Sequence, residues 1–156
     1  MGMDVYGTKP TDPVGEYFRN NVWWWRPLWD YCLNNHGKIA GKVEYGHSND
    51  GDGLDAKEAR KLGSLLRQDI ASGFAAKYEK DYNEMIESLE KIVCERCNNT
   101  GKVKYTSVGD NESERKCHAC EGTGMIVDFR AHYPFSVENL QAFADFCFHS
   151  GGFSIC

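Results

Sequence analysis

CERCNNTG (residues 94–101) and CHACEGTG (residues 117–124) are two copies of one eight-residue pattern, Cys94 and Cys97 then Gly101 in the first, Cys117 and Cys120 then Gly122 and Gly124 in the second. Nineteen residues separate Cys97 from Cys117, a spacing expected of a four-thiolate metal site. Each C-x-x-C makes a tight turn that sets two sulfurs at neighbouring corners of a tetrahedron, with metal to sulfur distances of about 2.3 Å. The glycines just beyond supply the positive backbone angles that such turns need. Between the copies, KVKYTSVGDNESERK alternates and then turns at GDNE, which predicts a β-hairpin folding the second knuckle onto the first. Cys94, Cys97, Cys117 and Cys120 are therefore the expected ligands of one structural zinc ion. Redox work by either pair is the competing reading. Sulfur at all four corners leaves no place for water or substrate, which favours a structural zinc ribbon over a catalytic centre.

The two copies resemble the C-x-x-C-x-G-x-G repeats of the cysteine-rich zinc domain of DnaJ-type chaperones, over residues 94–124. That family carries four repeats and two zincs, so two repeats imply one zinc. Asn99 stands where the first copy would have its first glycine, and no His-Pro-Asp triplet occurs. The resemblance therefore extends to the metal knuckle and not to co-chaperone activity.

Working outward, 156 residues with 41% hydrophobic and 13% aromatic composition predict a globular chain. The expected fold is one α+β domain over residues 1–156, a small mixed or antiparallel sheet packed by three to four helices. Residues 94–124 form its inserted zinc-binding hairpin. No apolar run is long enough for a membrane span, and the N-terminus lacks a secretory pattern. A soluble, cytoplasmic protein is expected. Seven cysteines, four of them in C-x-x-C pairs, suit thiolate ligands in a reducing compartment, with Cys32, Cys147 and Cys156 as buried or terminal thiols.

The pattern predicts a strand at Asp4–Tyr6, an extended Val22–Trp25 and a short helix Pro27–His36 stopped by Gly37. A strand over 38–46 follows. Asp55 caps a helix carrying Leu62, Leu65, Leu66 and Ile70, and Gly73 separates it from a second helix, Phe74–Val93. The apolar stripe Tyr78, Tyr82, Met85, Ile86, Leu89, Ile92 and Val93 is expected to be core. A strand over 125–129, a helix over 137–149 capped by Ser136 and a terminal strand complete the chain.

Outside the cysteines two features could carry function. HSNDGDGLD (47–55) resembles a calcium loop but has Ala59 where a bidentate Glu is needed. His47, Asn49, Asp50 and Asp52 nevertheless form a dense polar group beside aromatics, a candidate ligand site or, with a second metal, a small hydrolase or transferase. Trp23, Trp24, Trp25, Arg26 and Trp29 offer interface-type chemistry, either for a protein or for stacking a single-stranded nucleic acid. A net charge of -5 disfavours nucleic acid. The expectation is a zinc-containing module that binds another protein, with no catalytic motif.

Overall fold

The structure, a computed structural model, describes residues 2–106 and 112–156. Along the chain run β1 (Gly2–Gly7), β2 (Tyr17–Asn21), α1 (Val22–Ala40), β3 (Gly53–Leu54), α2 (Ala56–Ala71) and α3 (Phe74–Glu87). These are followed by β4 (Ile92–Val93), β5 (Lys102–Thr106), β6 (Glu112–Lys116), β7 (Met125–Ile126), α4 (Val137–His149) and β8 (Phe153–Ile155). The chain is α+β, as its patterns predict. Two compact units emerge: Met1–Glu84 with Tyr133–Cys156, and Met85–His132.

In the first unit a four-stranded sheet has the order β2-β1-β8-β3, every pair antiparallel. Met3 and Val5 are buried while Asp4 and Tyr6 between and beyond them are not, the period of two that lets one sheet face meet a core. The C-terminal strand lies between the N-terminal strand and β3, with Val5 opposite Ile155 and Gly53 opposite Ser154. Both chain ends are thus tied into the centre of the sheet.

The first helix corrects two sequence expectations. Val22–Trp25 is not extended, because the Asn21 side chain accepts from the N–H groups of Trp23 and Trp24 and starts α1 one turn before Pro27. Helical spacing then sorts the tryptophans. Trp25 and Trp29, four residues apart, are fully buried with rings stacked at 5.5 Å, and Trp25 Nε1 donates to the Gly46 carbonyl at 2.7 Å. Trp23 falls on the outer side and stays 45% exposed. Residues 38–46 are not a strand either: α1 breaks at His36 (φ -130, ψ 33), just before the expected stop at Gly37, and resumes to Ala40. Turns follow, anchored by buried Val43.

α2 and α4 begin where their caps predict, Asp55 accepting from Glu58 N–H at 2.8 Å and Ser136 from Asn139 N–H at 3.2 Å. Leu62 and Leu66 of α2 and Leu140, Phe143, Ala144 and Cys147 of α4 enter one core with Trp25, Trp29 and Phe153. Burying a large apolar side chain of this kind contributes about 1.5–3 kcal/mol. α3 ends at Glu87 rather than Val93, and only Ala75 of it is fully buried, with Tyr78 and Tyr82 packed against the core. Ile92 and Val93 are instead a strand, and 43% and 50% exposed, so the lower part of the expected stripe is not core. The strand predicted over 125–129 is confined to Met125–Ile126, and a 3₁₀ turn covers Phe129–His132.

The close approach of α2 and α4 depends on Gly63. A β-carbon there would lie 2.6 Å from Phe148 N and 2.7 Å from Ala144 O, both backbone atoms. Gly63→Ala is therefore expected to destabilise the protein by about 1–3 kcal/mol in denaturant titrations, despite alanine's better helix propensity.

Candidate metal centre

The second unit is organised by its two cysteine turns, which are related by an offset of 23 residues. In the first, Thr100 N–H and Oγ1 both donate to the Cys97 carbonyl, at 2.9 and 2.6 Å; in the second, Thr123 does the same to Cys120, at 3.0 and 2.6 Å. Each threonine hydroxyl also lies close to the carbonyl two residues on, Lys102 at 2.9 Å and Met125 at 2.8 Å, so its one proton is shared between two acceptors. Left-handed backbone recurs in register: Asn98 and Glu121 at φ 46 and 51, Asn99 and Gly122 at 67 and 81, Gly101 and Gly124 at 70 and 79. Asn99 takes the place of a glycine because asparagine tolerates this region better than other side chains do.

The turns lock to each other reciprocally. Cys94 N–H donates to Gly124 O at 2.9 Å, and Cys117 N–H donates to Gly101 O at 2.8 Å. Strand pairing repeats the exchange, β5 with β6 and β4 with β7, all antiparallel. The predicted hairpin is present as the β5–β6 pair, from Lys102 opposite Lys116 to Thr106 opposite Glu112. Part of its expected turn at GDNE lies outside the described residues. The crossing leaves no room for side chains at the closing glycines. A β-carbon on Gly124 would meet Asn99 O at 2.3 Å, and one on Gly101 would meet Gly122 O at 2.2 Å.

This two-fold arrangement brings four distant sulfurs together. Cys94, Cys97, Cys117 and Cys120 are all buried, and their Sγ atoms lie within 4.8 Å of one another. Cys94 Sγ and Cys117 Sγ are 3.9 Å apart, and Cys97 Sγ and Cys120 Sγ are 3.6 Å apart. A tetrahedron with metal to sulfur bonds of about 2.3 Å has edges of about 3.8 Å, so the cage fits one four-coordinate divalent ion. Four soft sulfur donors suit zinc or iron and disfavour magnesium or calcium. Desolvation raises the Cys120 thiol, but the Gly124 N–H, 3.2 Å from its sulfur, and the neighbouring thiols outweigh that and draw it below the ordinary thiol value. Burial pushes Cys94 the other way.

Among the described residues, the buried apolar cluster of 85–132 consists of the four cysteines, with Val103 and Ile126 packed against them. A groove of about 760 Å³ opens in the same unit, its apolar lining including Ile92, Val93, Met125, Val127 and Phe129. Phe129 is 64% exposed. Neither the threonine clamps nor this lining was singled out in the sequence. The aligned Thr-Gly pairs of the two copies carry the signal for the first, whereas exposure has no local signature.

The remaining candidates are dispersed. Trp25 and Trp29 lie in the core and offer no surface, Trp24 is half-buried, and Trp23 and Arg26 are exposed. In the 47–52 loop, the polar groups serve the chain itself. His47 Nε2 pairs with Asp30 Oδ1 at 3.0 Å, and Asn49 donates to Gly2 O at 2.9 Å. The Asp52 carboxylate accepts from Tyr45 N–H at 3.0 Å and Gly53 N–H at 2.8 Å, bonds that hold it below the usual carboxylate range. Asp50 is exposed. Among the described residues the four cysteines form the one group of ligating side chains close enough to hold a metal ion. Cys32 and Cys147 are buried free thiols and Cys156 is an exposed one. No described helix is long and apolar enough to cross a membrane. Comparison of the chain with family models, with curated proteins and with solved structures finds no match.

Because the second unit has so little other interior, metal removal should unfold it locally. Treatment with a strong chelator is expected to abolish amide hydrogen-exchange protection across residues 92–126 while α2 and α4 keep theirs. Gly124→Ala should weaken metal binding by roughly tenfold or more in a chelator competition, since it strains the turn and pushes against the opposite knuckle.

Proposed function

We propose that the four cysteines hold a single structural zinc ion, and that the chain is a protein-binding or regulatory module whose 85–132 unit is ordered by that metal. The observation that carries the reading is the cage itself: four buried sulfurs, cross-knuckle edges of 3.6 and 3.9 Å, and every corner taken by sulfur. A closed cage of this kind has no open position for substrate, so its contribution is the shape it imposes. Zinc-finger peptides at neutral pH gain about 10–16 kcal/mol from the ion, ample to order a unit with this little apolar interior. The knuckle pair corresponds in pattern to half of a DnaJ-type cysteine-rich zinc domain.

A partner protein, rather than a nucleic acid, suits the surface that results. The groove exposes Ile92, Val93, Val127 and Phe129, residues of the apolar and aromatic kind that anchor protein interfaces. The net charge of -5 and the further negative charge of a zinc tetrathiolate both oppose a phosphate backbone. The hydrolase reading through His47, Asp50 and Asp52 has less support, since His47 and Asp52 are already committed to Asp30 and to the loop backbone.

Two measurements test the proposal together. Elemental analysis of the native protein should give one zinc per chain, and cobalt(II) substitution should show the visible bands of a tetrahedral all-sulfur site. Crosslinking in the native host should capture a partner that Val127→Asp loses while retaining its zinc. Metal-free protein with thiols oxidised in pairs, or a partner indifferent to Val127→Asp, would overturn the reading.

A further inference from the structure

We propose that Lys116 is the counter-charge of the four-sulfur cage, a residue that sets how tightly the metal is held without ligating it. The inference rests on the reading that the cage is filled by a divalent ion as a tetrathiolate. Such a centre carries two net negative charges, which a cation at the rim of the cage would attract.

Lys116 is solvent-exposed, yet its register is unfavourable. It stands directly opposite Lys102 in the β5–β6 register, and like charges facing each other across a strand pair oppose the pairing. Both lysines lie at the end of the hairpin next to the cage: Lys102 follows Gly101, Lys116 precedes Cys117, and the Cys117 N–H bond to Gly101 O closes the ladder between them. A hollow of about 310 Å³ is lined there by Lys102, Arg115 and Lys116 together with Glu114 and Glu121. Two of the three cations have partners within the hairpin. Lys102 Nζ is 3.3 Å from Glu114, and the Arg115 guanidinium sits over the Tyr105 ring at 4.4 Å. Lys116 pairs with no carboxylate among the described residues.

Its aliphatic stem lies instead against the second knuckle. The position of a β-carbon on Gly122 would be 2.9 Å from Lys116 Cγ and 3.0 Å from its Cε. Gly122, two residues beyond the ligand Cys120, therefore leaves the space that the stem fills. A long cationic side chain that packs its methylenes on the metal turn keeps its charge beside that turn. The net negative charge of the filled cage thus offsets the repulsion between Lys102 and Lys116, and the lysine in return stabilises the metal-bound state.

The test is a zinc competition against a chromogenic chelator, run on the full chain at low and at high salt. Lys116→Gln is expected to bind zinc roughly threefold to fivefold more weakly than wild type, the scale of an exposed charge interaction. Lys116→Arg should keep wild-type affinity, and the deficit of Lys116→Gln should shrink at about 1 M salt, where charges are screened within about 3 Å. Lys57→Gln, an exposed lysine of α2, should change nothing. Unchanged affinity in Lys116→Gln would overturn the inference. An equal, salt-independent loss in Lys116→Arg would also overturn it, since that would make the stem's packing the cause. If wild type binds one zinc and Lys116→Gln matches it, this inference alone falls. If wild type binds none, the metal reading falls and takes the inference with it.

Discussion

Reciprocal closure of two cysteine turns is the constraint on which the 85–132 unit depends. Each turn's closing glycine accepts the first cysteine N–H of the other, and the four sulfurs meet inside that exchange. A segment of this size cannot bury enough apolar surface to offset the entropy of ordering its backbone, and its described interior holds two apolar side chains besides the cysteines. Directional bonds do what area cannot. A metal bridging sequence positions 23 apart would replace a hydrophobic core with four coordinate bonds.

The duplication also explains which residues the unit requires. Left-handed backbone falls at matching places in both turns, and glycine or asparagine occupies most of them; Glu121 is the departure, at φ 51. The threonines repeat because each hydroxyl adds a second bond to the cysteine carbonyl that its own N–H already reaches. Outside these positions the copies diverge freely. Glu95 and Arg96 in one correspond to His118 and Ala119 in the other, all of them exposed.

The first unit follows a different logic, a conventional core of aromatic and aliphatic side chains between a four-stranded sheet and its helices. Its tryptophans are mainly structural: Trp25 and Trp29 stack within the core and meet Phe143 edge-on. Tyr31 and His36 of α1 converge on one oxygen of Asp69 of α2, each at 2.7 Å, where α1 departs from helical geometry. This polar clamp accounts for a histidine and a carboxylate that would otherwise be poorly placed so near the core.

Much of this was legible in the chain. The cysteine spacing named the four candidate ligands and the hairpin between them, and Asp55, Gly73 and Ser136 marked helix boundaries through local hydrogen bonding and backbone freedom, which act over a few residues. The errors share a cause. Val22–Trp25 has strand propensity, yet the Asn21 cap and the demand that Trp25 and Trp29 share one face made it a helix. Ile92 and Val93 continue a helical stripe in sequence, yet pairing with Met125 and Ile126, over thirty residues away, made them a strand. Sequence alone determined which atoms could bind a metal, because ligand chemistry and turn geometry are local. Tertiary structure decided which apolar residues face solvent and where Lys116 rests, because both depend on what distant segments bring alongside.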